Sequence, residues 1–564
     1  MPLLTDAPIN LLRLLRNTSA RLFRSAPDYV VIEVRGGLPE FERQVGFLRR
    51  RVLPIAAGPT LEGLRERLER ISADGRPRGV VVRVVNLDAG WTALEELRGE
   101  LSSFRRRGGR VIAYLADSVD SRSYYLACAA DEVYATPLAA LNVTGVRTRV
   151  DFLREGLSRV GLEAEVVAVS PYKSAGDPFV RDDFSPEARE QAERLLDRRY
   201  EELLGAVSEG RELDVPAARE RIDRAPYDPH AALAEGLIDG VCYEDELPER
   251  LGAEGERARV VDWRTARGSL RTTYRRSPRR RVGVVSLSGT IVRGRSRRLP
   301  VPLPFFGREQ AGSESVIAAL RTAEKNRRVA AVLFHVDSRG GDALASDLIW
   351  REVERIRARK PVVVLMGEVA ASGGYYVSAA ADHVVARRNT VTGSIGVVLI
   401  RPVASDLYRR LGVNPAALER GARAGVLDAS RSPDPDEMKV LERQLGYAYG
   451  EFKDRVSRGR EISPPKLEEI AGGRVWTGAE ARRIELVDGL GGFREALRRA
   501  RELGGITDEA SEVLLKVSAP RGGHQSPGEP AEVLVETVGE VWRALSEVRE
   551  GRLWALAPYD ITDG

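Results

Sequence analysis

Tyr124-Tyr-Leu-Ala-Cys-Ala-Ala-Asp131 and Tyr375-Tyr-Val-Ser-Ala-Ala-Ala-Asp382 are near copies of one another, 251 residues apart. At the same offset Val80–Gly90 (VVVRVVNLDAG) falls on Ala331–Gly341 (AVLFHVDSRGG), and Gly145-Val146 on Gly396-Val397. Towards the end of each copy Glu235–Asp239 matches Ile484–Asp488 after a slip of two residues. The chain is therefore one domain written twice. Each copy opens on an apolar strand, 29–34 or 282–287, and after a helical stretch reaches a buried-type strand, 79–85 or 329–336. A helix (92–106 or 343–359) and another strand (110–115 or 361–366) follow, and then a helix of small residues starts at Ser121 or Ser372. Short apolar runs alternating with amphipathic helices predict an α/β fold of parallel β/α units.

Between the copies Arg264–Arg281 is rich in arginine and poor in apolar residues, which marks a solvated connector. The expected organisation is an N-terminal segment 1–27, a first domain 28–263, a basic linker 264–281, a second domain 282–505 and a tail 506–564. In the tail Ala519–Pro530 is Gly/Pro-rich. Leu534, Val538, Val541, Trp542, Leu545 and Val548 then make an apolar face at helical spacing. At the other end Leu11, Leu12, Leu15, Leu22 and Phe23, interspersed with arginine, predict a basic amphipathic helix over residues 9–24. Such a helix lies in a membrane interface or packs on the protein's own body. No uncharged run approaches the roughly 18–20 apolar residues of a spanning helix, and there is no secretory signal pattern. The expectation is a peripheral membrane or cytoplasmic location.

The 564 residues are 43% hydrophobic, enough for large cores, and two cysteines in such a length exclude a disulfide-stapled fold. With 88 basic against 83 acidic residues the charge is near balance, and no nucleic-acid partner is expected. Only seven of the basic residues are lysine, and Lys173 is the only one before Lys325. Arginine stays charged in a protein, whereas a desolvated lysine can lose its proton, so a solitary lysine raises the question of chemistry.

Ser372 lies in Gly367-Glu-Val-Ala-Ala-Ser-Gly-Gly-Tyr-Tyr376, at a predicted strand-to-helix turn. Two readings are open. It is either the N-cap of the small-residue helix or a nucleophile whose following amide, on Gly373, points at a developing oxyanion. The loop Ser338-Arg-Gly-Gly341 ends the preceding strand, where it can offer a second amide and an edge for substrate pairing. The first copy has Ser121-Arg122-Ser123 and Asp88-Ala89-Gly90 instead. The reverse holds for the lysine: Lys173 sits in Ser170-Pro-Tyr-Lys-Ser-Ala-Gly-Asp-Pro-Phe179, and the second copy has Arg423-Ala424-Gly425 at that offset. Complementary loss is the pattern of one composite site shared by two copies. A serine nucleophile needs a base. His335 lies in a buried-type strand, His383 follows the small-residue helix, and His230 and His524 are in turn-rich stretches. A desolvated lysine can serve. The Ser170-x-x-Lys173 match to the β-lactamase pattern is weak, with no S-D-N or K-T-G partner. No Walker loop and no metal-ligand cluster is present, so no cofactor and no metal is expected.

YKSAGDPF around Lys173, ASGGYY around Ser372 and TGSIGV at 392–397 together resemble the long, 67K-type signal peptide peptidases of the S49 serine peptidase family, over about residues 28–505. The resemblance implies tandem Clp-protease/crotonase-like domains. It implies Ser372 as nucleophile, Lys173 from the first domain as general base, and Ser394 as the hydroxyl orienting the amine. The Gly373 amide, with one from Gly340-Gly341, would form the oxyanion hole. It further implies a homo-oligomer, a bowl-shaped tetramer, acting on cleaved signal peptides and other unfolded peptides. Two departures stand out. The chain starts with an Arg-rich amphipathic stretch where the family has a membrane anchor, and Asp337-Ser-Arg339-Gly-Gly replaces the family's Asn-Ser-Pro-Gly-Gly. The alternatives are a crotonase-like acyl-CoA enzyme, which would not need Ser372 paired with a lone lysine, and a non-catalytic membrane-associated scaffold.

Overall fold

The computed structural model describes residues 3–23, 25–42, 58–253, 255–274, 279–303, 307–507, 514–517 and 553–556. The Gly/Pro-rich stretch 519–530 and the apolar face at 534–548 lie outside the described residues. The described residues form two compact units: those within 1–147 and 196–278 make the first, and those within 148–195, 279–507, 514–517 and 553–556 the second. Residues 148–195, which the repeat places in the first copy, thus fold as part of the second unit.

In the first unit six strands pair in the order Gly240–Val241, Glu132–Ala135, Arg110–Leu115, Gly79–Leu87, Tyr29–Gly36 and Val260–Asp262, all parallel. The runs of Val and Ile that form them are buried on both faces, as a sheet covered by helices on each side requires. Helices Leu61–Asp74 and Trp91–Arg106 cover one face through Leu64, Leu68, Leu94, Leu97 and Leu101, and Leu247, Leu251 and Ala258 pack with Val31, Val81 and Ile112 on the other.

The second unit repeats that order strand for strand: Gly489–Leu490, His383–Ala386, Val362–Ala371, Val329–Ser338, Arg281–Ser288 and Leu514–Lys516. The repeated Tyr and Asp are scaffold groups. Tyr124 Oη donates to the Leu237 carbonyl, and Tyr375 Oη to that of Leu486. The carboxylates of Asp131 and Asp382 accept from the strand amides of Val111 and Val362, 2.7 and 2.8 Å away. Asp239 and Asp488 accept likewise from Val133 and Val384.

A further sheet of the second unit runs Arg297–Leu303, Gly307–Gly312, Thr290–Val292, Gly340–Asp342, Leu553–Leu556, Val398–Val403 and Glu163–Ala168. Within it Glu163–Ala168 pairs antiparallel with Val398–Val403, from Glu163 opposite Val403 to Ala168 opposite Val398. That ladder makes residues 148–195 part of the second unit.

The helix Leu3–Phe23 carries the expected basic amphipathic stretch. Arg13, Arg16 and Asn17 hydrogen-bond main-chain groups of residues 267–273, and Leu11, Leu12 and Leu15 are left exposed. Among the described residues no helix is long and apolar enough to cross a membrane.

Candidate active site

Parallel register brings two serines together. Val391–Gly393 pairs with the end of Val362–Ala371, with Ala370 opposite Thr392 and Ala371 opposite Gly393. Ser372 and Ser394 therefore leave adjacent strands side by side at the carboxyl ends, where open α/β sheets place their ligands. The Ser372 amide donates to the Gly393 carbonyl (2.8 Å) and the Ser394 amide to that of Arg474 (2.7 Å). Both serines have positive φ, 55° and 50°. At a non-glycine residue such backbone costs about 1–3 kcal/mol and persists where its surroundings enforce it.

The antiparallel ladder delivers the lysine. Ala168 lies opposite Val398 and the Val169 amide donates to the Val397 carbonyl, so the antiparallel run carries the loop that follows, 170–176, on towards Ser394. Lys173 is 1% exposed. Its Nζ lies 2.7 Å from Ser372 Oγ, 2.9 Å from Ser394 Oγ and 3.0 Å from the Ser394 carbonyl oxygen. Burial, with no acidic neighbour contributing, pushes the amine well below its ordinary value of 10.5. Asp177, close in sequence, instead accepts from the Ser185 hydroxyl at 2.7 Å. A neutral amine has two N–H groups and one lone pair. Giving the N–H groups to the two oxygens of Ser394 turns the lone pair to the hydroxyl of Ser372.

The helix Gly373–Ser378 begins at Gly373 with Ser372 in the N-cap position, but no side-chain cap bond forms. The hydroxyl faces the lysine rather than the helix. In the first copy the aligned Ser121 lies inside a helix capped by Asp120, whose carboxylate accepts from the Ser123 amide at 2.8 Å. Arg122, at the position where the second copy has Gly373, ion-pairs there with Asp120 and Asp88.

Gly340–Asp342 runs beside this turn. A Cβ on Gly373 would stand 2.6 Å from Ser346 Oγ and 3.1 Å from both Gly340 Cα and Gly341 N. The Gly340 amide donates to the Ser338 hydroxyl at 3.1 Å. The remaining edge of this segment is filled by Leu553–Leu556, antiparallel, with Gly340 opposite Leu556 and Asp342 opposite Trp554. Asp337 accepts from the Val369 amide (3.2 Å), and burial pushes its carboxyl up to about 6. His335 and His383 sit on strands Val329–Ser338 and His383–Ala386, and it is the lysine that lies within reach of the Ser372 hydroxyl.

Sequence reading did not single out the supports of the lysine loop. A Cβ on Gly473, whose φ is +89°, would stand 2.7 Å from Lys173 N and Cα. Ser170 donates to the Gly472 carbonyl. The Gly472-Gly473 pair after a helix was the available signal.

The model of peptidase family S49 matches residues 103–256 and 354–507, two spans displaced by the 251 residues of the repeat. The chain is 33% identical over 471 residues to the chloroplastic serine protease SPPA of Arabidopsis thaliana, covering 82% of this chain and 68% of that protein. It is 30% identical over 454 residues to Protease 4 of Haemophilus influenzae, covering 77% and 72%. Among solved structures it is similar to a mutant of ClpP1 from Listeria monocytogenes, with a TM-score of 0.25 and 14% identity over 38% of this chain and 94% of that one. The duplicated match and the extent of the relatives make this chain a serine peptidase belonging to peptidase family S49.

Proposed function

We propose that this chain is a serine endopeptidase working through a Ser372–Lys173 dyad. The single observation that carries the reading is the 2.7 Å approach of a fully buried lysine amine to Ser372 Oγ. The hydroxyl proton passes to the neutral Nζ as Oγ bonds to the peptide carbonyl carbon. The lysine then gives that proton to the departing amine as the C–N bond breaks, leaving an acyl-enzyme. Water attacks the ester carbon as the lysine takes its proton, and the lysine returns that proton to Ser372 Oγ as the acyl C–O bond breaks, which frees the acid product and restores the neutral amine. Ser394 holds the amine, and the amides of Gly373 and of the Gly340-Gly341 segment receive the oxyanion. In this reading copy 28–263 supplies the lysine and copy 282–505 the serine.

The substrate is an extended peptide with small or apolar side chains, cleaved signal peptides among them. The pairing of Leu553–Leu556 along Gly340–Asp342 supports this, because that edge accepts a main-chain strand. The working form is a homo-oligomer, a tetramer as in the family it resembles. The exposed leucines of the Leu3–Phe23 helix give it peripheral membrane contact.

The test is Ser372→Ala and Lys173→Met in the purified chain. Each abolishes cleavage of casein and of a small-residue peptide ester while leaving the unfolding midpoint defined. A folded variant that turns over at the parent rate refutes the dyad.

A further inference from the structure

We infer that Gln191 is a positioning residue for the dyad, an inference that rests on the reading of Lys173 as base. Gln191 is fully buried in the helix Pro186–Gly210, among charged neighbours such as Glu190, Glu193 and Arg194. Its Nε2 donates to the Tyr172 carbonyl at 3.1 Å, and its Oε1 accepts from the Val475 amide at 2.8 Å. A carbonyl on one side and an N–H on the other fix which way the amide faces.

The two main-chain groups belong to the two segments that hold the amine in place. Tyr172 immediately precedes Lys173. Val475 opens the strand Val475–Thr477, which pairs antiparallel with Val391–Gly393, Val475 opposite Gly393. The residues just before it carry Ser394 and Ile395: the Arg474 carbonyl accepts from the Ser394 amide, and the Gly473 amide donates to the Ile395 carbonyl. One side chain thus ties the lysine loop to the segment that fixes its orienting serine. The neighbouring residues brace the same junction. Arg194 donates to the Val475 carbonyl and lies 4.5 Å from the centre of the Trp476 ring. The Arg474 guanidinium lies 4.0 Å from the centre of the Tyr172 ring.

The task needs a donor and an acceptor on one uncharged group, which a carboxamide supplies at every pH and a carboxyl of this length only while it is protonated. Ionised glutamate keeps the contact with Val475 but sets a carboxylate against the Tyr172 carbonyl. Methionine keeps the volume and loses both bonds. Either change frees the loop, lets water reach the amine, and moves its titration back towards that of an ordinary lysine.

The experiment compares the parent with Gln191→Met and Gln191→Glu in the full chain. Labelling of Ser372 by a serine-directed fluorophosphonate is followed against pH, with kcat and KM for a small-residue peptide ester alongside. The expected result is a kcat at least about tenfold lower, KM within about twofold, and an acid limb of labelling displaced upward by about one pH unit. A folded Gln191→Met with the parent limb and kcat overturns the inference. A lower kcat with an unmoved limb in both variants also overturns it, since that is the signature of general destabilisation. If one variant does not fold, the other decides by the same limb. Failure of the dyad itself is separate: Lys173→Met would then label as fast as the parent, whatever Gln191 does.

Discussion

Gly373→Ala is a substitution that local structure favours and the tertiary structure forbids. Gly373 is the first residue of a helix, where alanine is better than glycine by up to about 1 kcal/mol. The added Cβ, however, would stand 2.6 Å from Ser346 Oγ, some 0.8 Å inside an ordinary contact of roughly 3.4 Å, and 3.1 Å from Gly340 Cα and Gly341 N. Ser346 cannot simply swing aside, because its fully buried hydroxyl donates to the Asp342 carbonyl at 2.9 Å. The strain must move Gly340–Gly341 by a few tenths of an ångström. Overpacking of this kind costs about 1–3 kcal/mol, so helix propensity offsets it in part and the variant folds. Activity has no such offset. Displacing an amide from a developing oxyanion costs about 10²–10³ in kcat. The assay is kcat and KM on a peptide ester, with thermal unfolding of Gly373→Ala and of the double variant with Ser346→Ala. The second change removes the 2.6 Å contact but neither backbone contact, so it restores stability more than rate. A Gly373→Ala enzyme that is folded and within about threefold of the parent kcat refutes the idea that this close approach builds the oxyanion site.

Lys173→Met tests the electrostatics. Because burial lowers the folded pKa, the unfolded chain holds one more proton than the folded one between that depressed value and 10.5. The parent therefore gains stability as pH rises through the window, by up to about 1.4 kcal/mol per pH unit, whereas the methionine variant does not. The variant is more stable than the parent at pH 7, and its advantage shrinks towards pH 10 in denaturant titrations; parallel curves would contradict the buried neutral amine. Parent activity in turn falls as pH drops through the depressed lysine pKa. Trp554→Pro removes an N–H from the strand paired with Asp342 and Val398. If a substrate strand uses the edge held by Leu553–Leu556, the variant shows a lower KM for peptides with kcat unchanged, and an unaltered KM counts against that shared edge.

The repeat, the alternation of strands and helices, and the residue types at the site were legible because they are local. Strand-forming runs such as Val362-Val363-Val364 identify themselves, and a lysine in an arginine-rich chain is conspicuous. Sequence also showed that the first copy carries Arg122 and Ala89 where the second has Gly373 and Gly340, and the structure engages that arginine in an ion pair with Asp88. What it left open was whether Ser372 caps a helix, because a cap and a nucleophile share one local pattern; the direction of the hydroxyl depends on Lys173, 199 residues away. Only tertiary pairing decided that residues 148–195 fold with the second copy, through the ladder between Glu163–Ala168 and Val398–Val403. The same holds for Gln191 reaching Tyr172 and Val475, and for Leu553–Leu556 lying along Gly340–Asp342. Periodicity and propensity report which face a residue buries. Strand order, register and the partner of a buried amide are set by contacts distant along the chain, which no local pattern encodes.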